Sequence, residues 1–178
     1  MSNKIDETIV LGGGCFWCLD AGYKLVKGVT EVVAGYAGGT VPDPTYQQVC
    51  AGTTGHAEVV QVSFDSSIIT LAEILDIFWI MHDPTTLNRQ GADVGPQYRS
   101  VILYTEGQQK TVIQASLESA SRLWNNRIVT QVEKLTKFYP AESEHQNYFQ
   151  KHPEAAYCQV VINPKLAKLR TAFMAKLK

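Results

Sequence analysis

The chain has 178 residues, enough for one ordinary domain with a sizeable core, and its formal charge of −1 at pH 7 and pI near 6.4 argue against nucleic acid or an anionic membrane as the main partner. No apolar run approaches the ~18 residues of a membrane span. Residues 1–7 lack the apolar segment of a secretory leader, so the expected compartment is the reducing cytoplasm, where 4 cysteines read as free thiols or a transient bridge rather than a structural framework.

In chain order, the apolar run Ile9-Val10-Leu11 predicts a buried strand over residues 8–11. Gly12-Gly13-Gly14 then turns the chain, and Phe16, Leu19, Tyr23 and Val26 recur at helical spacing. Cys15 therefore stands where a strand ends and a helix begins. Unpaired N–H groups and the positive end of the helix dipole favour an anion there, which predicts a cysteine pKa lowered toward the reactive range. Trp17 falls off the apolar stripe, with Asp20 and Lys24, and reads as the wall of a pocket beside the thiol.

Further strands are expected over residues 29–36, 57–64, 99–104, 128–132 and 157–162. Residues 71–81 are apolar nearly all round and predict a buried helix. Val112, Ser116, Ala120 and Leu123 give a narrower stripe on a helix over about residues 106–125. A last helix starts with Asn163 as its cap and Pro164 at its first position, and carries Leu166, Leu169, Phe173 and Leu177 on one stripe. Strands mixed with helices of this kind imply an α+β two-layer sandwich. No repeat or linker divides the chain, so residues 1–178 read as a single domain. Residues 35–55 and 83–97 are long loops, a length that in compact domains accompanies function.

Several chemistries compete for Cys15-Phe16-Trp17-Cys18. A zinc centre wants a second ligand pair at short spacing. Cys50 and His56 are too far apart for one, Cys158 stands alone, and neither His145 nor His152 forms a short pair with it. A thioredoxin-like dithiol starts a helix in this manner, yet Phe-Trp between the sulfurs crowds an approaching disulfide. The glycines are not followed by Gly-Lys-Ser/Thr or by a third spaced glycine, which excludes a phosphate loop. The remaining reading makes Phe16 and Trp17 core residues and both cysteines small buried apolars. Glu58 opens the run Val59-Val60-Gln61-Val62, and alternation puts it on the face of Val60 and Val62. There it is either buried and protonated or an exposed strand end. Residues 82–100 are rich in hydrogen-bonding groups and poor in apolar ones, the composition of an active-site rim.

The segments Gly14-Cys15-Phe16-Trp17, Gly35-Tyr36-Ala37-Gly38-Gly39, Tyr46-Gln47-Gln48-Val49-Cys50, Thr54-Gly55-His56-Ala57-Glu58, His82-Asp83-Pro84-Thr85, Asn88-Arg89-Gln90-Gly91 and Gln97-Tyr98-Arg99-Ser100 occur in this order. Together they resemble the A-type peptide methionine sulfoxide reductases, over about residues 8–165. The resemblance implies an α+β sandwich with a ferredoxin-like core and the reduction of methionine S-sulfoxide, free or in proteins. It implies Cys15 as the nucleophile that becomes a sulfenic acid, with Phe16 and Trp17 around the substrate methyl. Glu58 is implied as the acid, Tyr46 and Tyr98 as hydrogen-bonding support, and Asp93 as the residue that orients the substrate.

A second thiol then resolves the sulfenic acid, and Cys158 and Cys18 are the candidates. Cys158 follows a segment that resembles the one where many members keep the resolver, although here it reads as a strand. Cys18 lies on the same side of the helix as Cys15, where Cβ atoms ~5–6 Å apart exceed the ~3.8 Å of a disulfide. Cys50 reads as a packed small residue. Thioredoxin or a similar dithiol is the implied reductant, with no metal or organic cofactor, in a monomeric cytoplasmic enzyme of oxidative repair. The competing functions are a thiol–disulfide oxidoreductase using Cys15 and Cys18, and a zinc-stabilised binding module.

Overall fold

Ile9, Val10 and Leu11 are fully buried because β1 (Asp6–Gly12) lies inside a sheet covered on both faces. The computed structural model describes residues 6–178, so most of the segment expected to lack an apolar leader lies outside the described residues. The chain continues through α1 (Phe16–Lys24), β2 (Val29–Ala37), α2 (Tyr46–Cys50), β3 (Ala57–Asp65) and α3 (Leu71–Met81). A small hairpin of β4 (Arg89–Gln90) and β5 (Asp93–Val94) follows, then β6 (Val101–Tyr104), α4 (Gln109–Leu123), β7 (Gln131–Lys134), β8 (Phe138–Pro140), α5 (Tyr148–Lys151) and α6 (Asn163–Phe173). The expected mixture of strands and helices is present, and both long loops carry short elements of their own. Among the described residues no helix is long and apolar enough to cross a membrane.

The main sheet has the order β7-β6-β1-β3-β2-β8 and is antiparallel throughout except for the parallel pair β6–β7. Ile9, Leu11, Val60, Val62, Phe64 and Ile102 share one core with the helices, including Phe16, Leu19, Ile74 and Phe78. Val10, Val59, Val101 and Leu103 form a second core on the opposite face, against Leu135 and Phe138. Leu135, Thr136 and Lys137 alone join the edge strands β7 and β8. Spread flat at ~4.8 Å per strand, those edges would stand ~24 Å apart. The joining segment reaches ~14 Å at most. The sheet therefore curls, and Leu135 and Phe138 close its concave side.

Two readings of the C-terminal segment are corrected. Residues 157–162 form no strand, and Asn163 caps no helix: Cys158–Ile162 is a π-helical turn that runs directly into α6. Cys158, Ile162, Leu166 and Leu169 are buried at helical spacing, and packing that face against α1 and α3 outweighs the strand preference of Val160 and Val161. Pro164 has no N–H, and its ring crowds the carbonyl of the preceding turn. The wider π turn accommodates that conflict. The strand expected from residue 99 begins at Val101, and the one expected over residues 128–132 is displaced to Gln131–Lys134.

Candidate active site

Cys15 occupies the N-cap of α1 in extended conformation, as the sequence predicts. The glycines before it allow a close approach. Gly14 has φ +89°, and a Cβ there would lie 2.6 Å from Gln90 Cγ, while one on Gly13 would lie 2.9 Å from His82 Cγ. Both neighbours are fixed. His82 places Nδ1 2.7 Å from the Phe78 carbonyl and Nε2 2.8 Å from the Ser100 hydroxyl. Burial pushes its pKa down to about 4, so the ring is neutral. Gln90 brackets the Asp83 backbone, accepting from its N–H at 3.0 Å and donating to its carbonyl at 2.9 Å. Much of the polar stretch expected as a rim is thus the buttress of the turn that carries Cys15.

The Cys15 sulfur receives a hydrogen bond from the backbone N–H of Trp17 and lies beside the Tyr157 hydroxyl, whose proton goes to Asp93. Its pKa is nevertheless raised, first by burial and then by Glu58 and Cys18. The expected lowering is corrected here, because desolvation outweighs what the helix end supplies. Glu58 is 1% exposed and accepts the Phe16 N–H at 3.2 Å through Oε1. Burial foremost, with Asp93 adding, pushes its pKa up to about 8 against the Phe16 N–H and the Cys15 thiol. Of the two readings open for Glu58, the buried one holds, and that burial favours the protonated carboxyl. A neutral acid and a neutral thiol face each other.

The other expected residues gather around this pair. Tyr46 opens α2 behind a capping box of Thr45 and Gln48, and its phenol hydrogen-bonds the Cys50 sulfur. Tyr98 ends the 3-10 turn Pro96–Tyr98. Its pKa is raised by burial and then by Glu58, Cys50, Asp93 and Cys15. Asp93 accepts the Tyr157 hydroxyl at 2.8 Å. Phe16 is fully buried, with ring centroids 5.8 Å from Tyr36 and 6.5 Å from Tyr46. Trp17 is half-buried and stacks on Tyr148 with centroids 3.6 Å apart.

Tyr157 was missed from sequence, although its neighbour Cys158 was singled out. Its hydroxyl reaches Cys15 and Asp93 and lies 3.9 Å from the Cys18 sulfur. The strand reading of residues 157–162 hid it, since only the helical phase turns Tyr157 toward α1. Cys18 and Cys158 are both fully buried, and Glu154 is the charged neighbour that joins burial in raising Cys158. Cys50 is the least buried of the four cysteines, with Glu58 among the groups that shift it.

The described residues bring together one group of three potential metal donors, Glu142, Glu144 and His145, and it includes no cysteine. Two of its three members already have partners. Glu142 accepts from the Tyr36 hydroxyl at 3.1 Å and the Tyr46 N–H at 3.2 Å, and His145 Nδ1 accepts from Trp17 at 3.3 Å.

A family model described as peptide methionine sulfoxide reductase matches residues 7–177. Peptide methionine sulfoxide reductase MsrA of Paenarthrobacter aurescens is 56% identical over 171 residues, covering 96% of this chain and 98% of its own. The reduced form of Mxr1 from Saccharomyces cerevisiae matches with a TM-score of 0.82 at 38% identity, over 86% of this chain and 89% of that one. Mxr1 in complex with Trx2 matches with a TM-score of 0.59 at 29% identity, over 80% and 84%.

Proposed function

The chain belongs to the peptide methionine sulfoxide reductase family, and on that premise we propose how its residues carry the reaction. It reduces methionine S-sulfoxide to methionine with electrons from thiols. Cys15 is the nucleophile and Glu58 the acid. A sulfoxide sulfur is a poor electrophile until its oxygen is protonated or strongly hydrogen-bonded. The positive sulfur of the bound S–O dipole draws the Cys15 sulfur toward it, offsetting the burial that keeps the thiol neutral. Glu58 gives its proton to the oxygen and regains one from Cys15. A new S–O bond forms on Cys15, the substrate S–O bond breaks, methionine leaves, and Cys15 carries a sulfenic acid.

Tyr46 and Tyr98 donate hydrogen bonds to the oxygen as charge develops on it. Asp93, held by Tyr157, orients the substrate, and Phe16 and Trp17 enclose its methyl. A second thiol condenses with the sulfenic acid to a disulfide and releases water. Cys18 is favoured by its shared neighbour Tyr157, and Cys158 by standing next to that tyrosine. Cys50 joins them, through the Tyr46 phenol and its common neighbour Glu58. Thioredoxin or a similar dithiol then reduces the disulfide, a partner supported by the Mxr1–Trx2 complex. We further assign residues 1–178 to a single monomeric domain with a ferredoxin-like core. It acts in the cytoplasm on free or protein-bound methionine sulfoxide, without metal or organic cofactor.

The observation that carries this reading is a buried Glu58 carboxyl, accepting the Phe16 N–H, beside the buried Cys15 thiol. Its test is one equivalent of dabsyl-methionine sulfoxide added to the fully reduced protein without reductant. One methionine-type product per protein is expected, with two thiols lost, and none from Cys15→Ser. Turnover retained by Cys15→Ser, or a wild-type protein that forms no product and keeps every thiol, would sink the proposal.

A further inference from the structure

Two of the rings assigned to the sulfoxide also wall a second hollow. Trp17 and Tyr46 join Gln47, Glu144, Tyr148 and His152 around an open groove of about 350 Å³. Tyr148 stacks on Trp17 with centroids 3.6 Å apart and has the His152 ring at 4.8 Å, so the walls are largely aromatic. Among the described residues Glu144 is the one acid that lines the groove, and no lysine or arginine does. Its side chain is 74% exposed. The cations of α1 and α5 already have other partners: Lys24 meets Asp20 at 2.6 Å and Asn147, and Lys151 donates to the Ser143 carbonyl at 3.0 Å. His152 places Nδ1 4.0 Å from Glu154. His145, 7% exposed, lines the groove as well. Its Nδ1 accepts the Trp17 indole N–H, so Nε2 carries the proton. The carboxylate oxygens of Glu142 and Glu144 each stand 4.0 Å from Nε2, beyond hydrogen-bonding distance. That N–H is a donor suited to a peptide carbonyl passing over the groove.

We propose that this groove is a subsite for the polypeptide that carries the sulfoxide, and that Glu144 makes it select a lysine or arginine two residues from the oxidised methionine. The inference rests on the placement of the sulfoxide proposed above. Along an extended peptide, side chains two apart project to the same face, ~7 Å from each other. A sulfoxide held by Trp17 and Tyr46 therefore sends such a neighbour across the same two rings. The stem of a lysine or arginine lies along them while its charged head reaches the Glu144 carboxylate. A glutamate in that place meets like charge, and a glutamine covers the rings without pairing. Because the charged head stays in water, the gain is modest and falls with salt.

The test is the second-order rate of the first turnover, without reductant, on three end-capped peptides of sequence X-Ala-Met(O)-Ala-X in which X is lysine, glutamine or glutamate. In the reduced wild type at low ionic strength, the lysine peptide should react about threefold faster than the glutamine peptide and about tenfold faster than the glutamate peptide. In about 0.5 M salt the three should fall within about twofold. Glu144→Gln should bring them within about twofold at low salt as well, and Glu144→Lys should reverse their order. Glu118→Gln removes the same charge from the exposed face of α4 and should keep the wild-type spread. Equal rates on the three peptides in the wild type, a spread that survives in Glu144→Gln, or one that Glu118→Gln also abolishes would overturn the inference. A wild type that reduces neither these peptides nor dabsyl-methionine sulfoxide would strike the reading of the site first, and this inference with it.

Discussion

Glu58 owes its chemistry to the alternation of β3, which turns it toward the helices with Val60 and Val62, and to α1, whose first turn offers it the Phe16 N–H. The same placement has a thermodynamic consequence. An unfolded chain releases the glutamate proton near 4.5, whereas the folded chain holds it to about 8. Between those values the folded state binds more protons, so this contribution to stability is complete below the ordinary carboxyl range and is lost as pH rises through about 8. The wild type should lose on the order of a few kcal/mol across that interval, and Glu58→Gln markedly less. Urea unfolding at about pH 5 and 8 reads the difference directly, and parallel losses in the two proteins would contradict it. The face on which Glu58 lies was legible in the sequence, because a strand repeats every second residue. Its burial was not, because that depends on a helix arriving from elsewhere in the chain. Cys15 was misjudged for the matching reason: a helix end is a local feature, but desolvation is set by the whole surroundings.

Elements read best where one local signal dominates. The α3 helix was legible because its residues are apolar all round, and it starts at a capping box in which Thr70 and Glu73 each accept the other's N–H. The π turn ahead of α6 was not. Its β-branched residues suggest a strand, and its helical phase is fixed only by the cavity that Cys158 and Ile162 fill. The turn into α1 depends on glycine for two reasons at once, the left-handed backbone of Gly14 and the 2.6 Å approach to Gln90. Gly14→Ala should cost about 1–2 kcal/mol from the backbone alone and lower activity by shifting Cys15. Gly107→Ala, with nothing near its Cβ, should leave both unchanged. Thermal unfolding and turnover of the two variants check this, and a Gly14→Ala protein that matches the wild type in both would show that the turn has room to spare.

At the scale of the molecule, the site exists only because the sheet and its loops bring distant segments together. Cys15 comes from the start of α1, Glu58 from β3, Tyr46 from α2, Asp93 from β5, Tyr98 from the turn before β6, and Tyr157 from the helix before the C-terminus. The strands were largely visible in the sequence, but their order and the curl imposed by the short link between β7 and β8 were not. Neither is a property of any one segment. The most direct test of the assembled site is the pH dependence of the first, single-turnover step in the reduced wild type and in Glu58→Gln. A site that works through a neutral acid and a neutral thiol predicts a wild-type rate that is level below about 8 and falls about tenfold per pH unit above it. The variant should be about a hundredfold slower or more, and should lack that fall. A wild-type rate that climbs through pH 8, as free thiolate attack would, or a Glu58→Gln protein as fast as the wild type, would contradict the account.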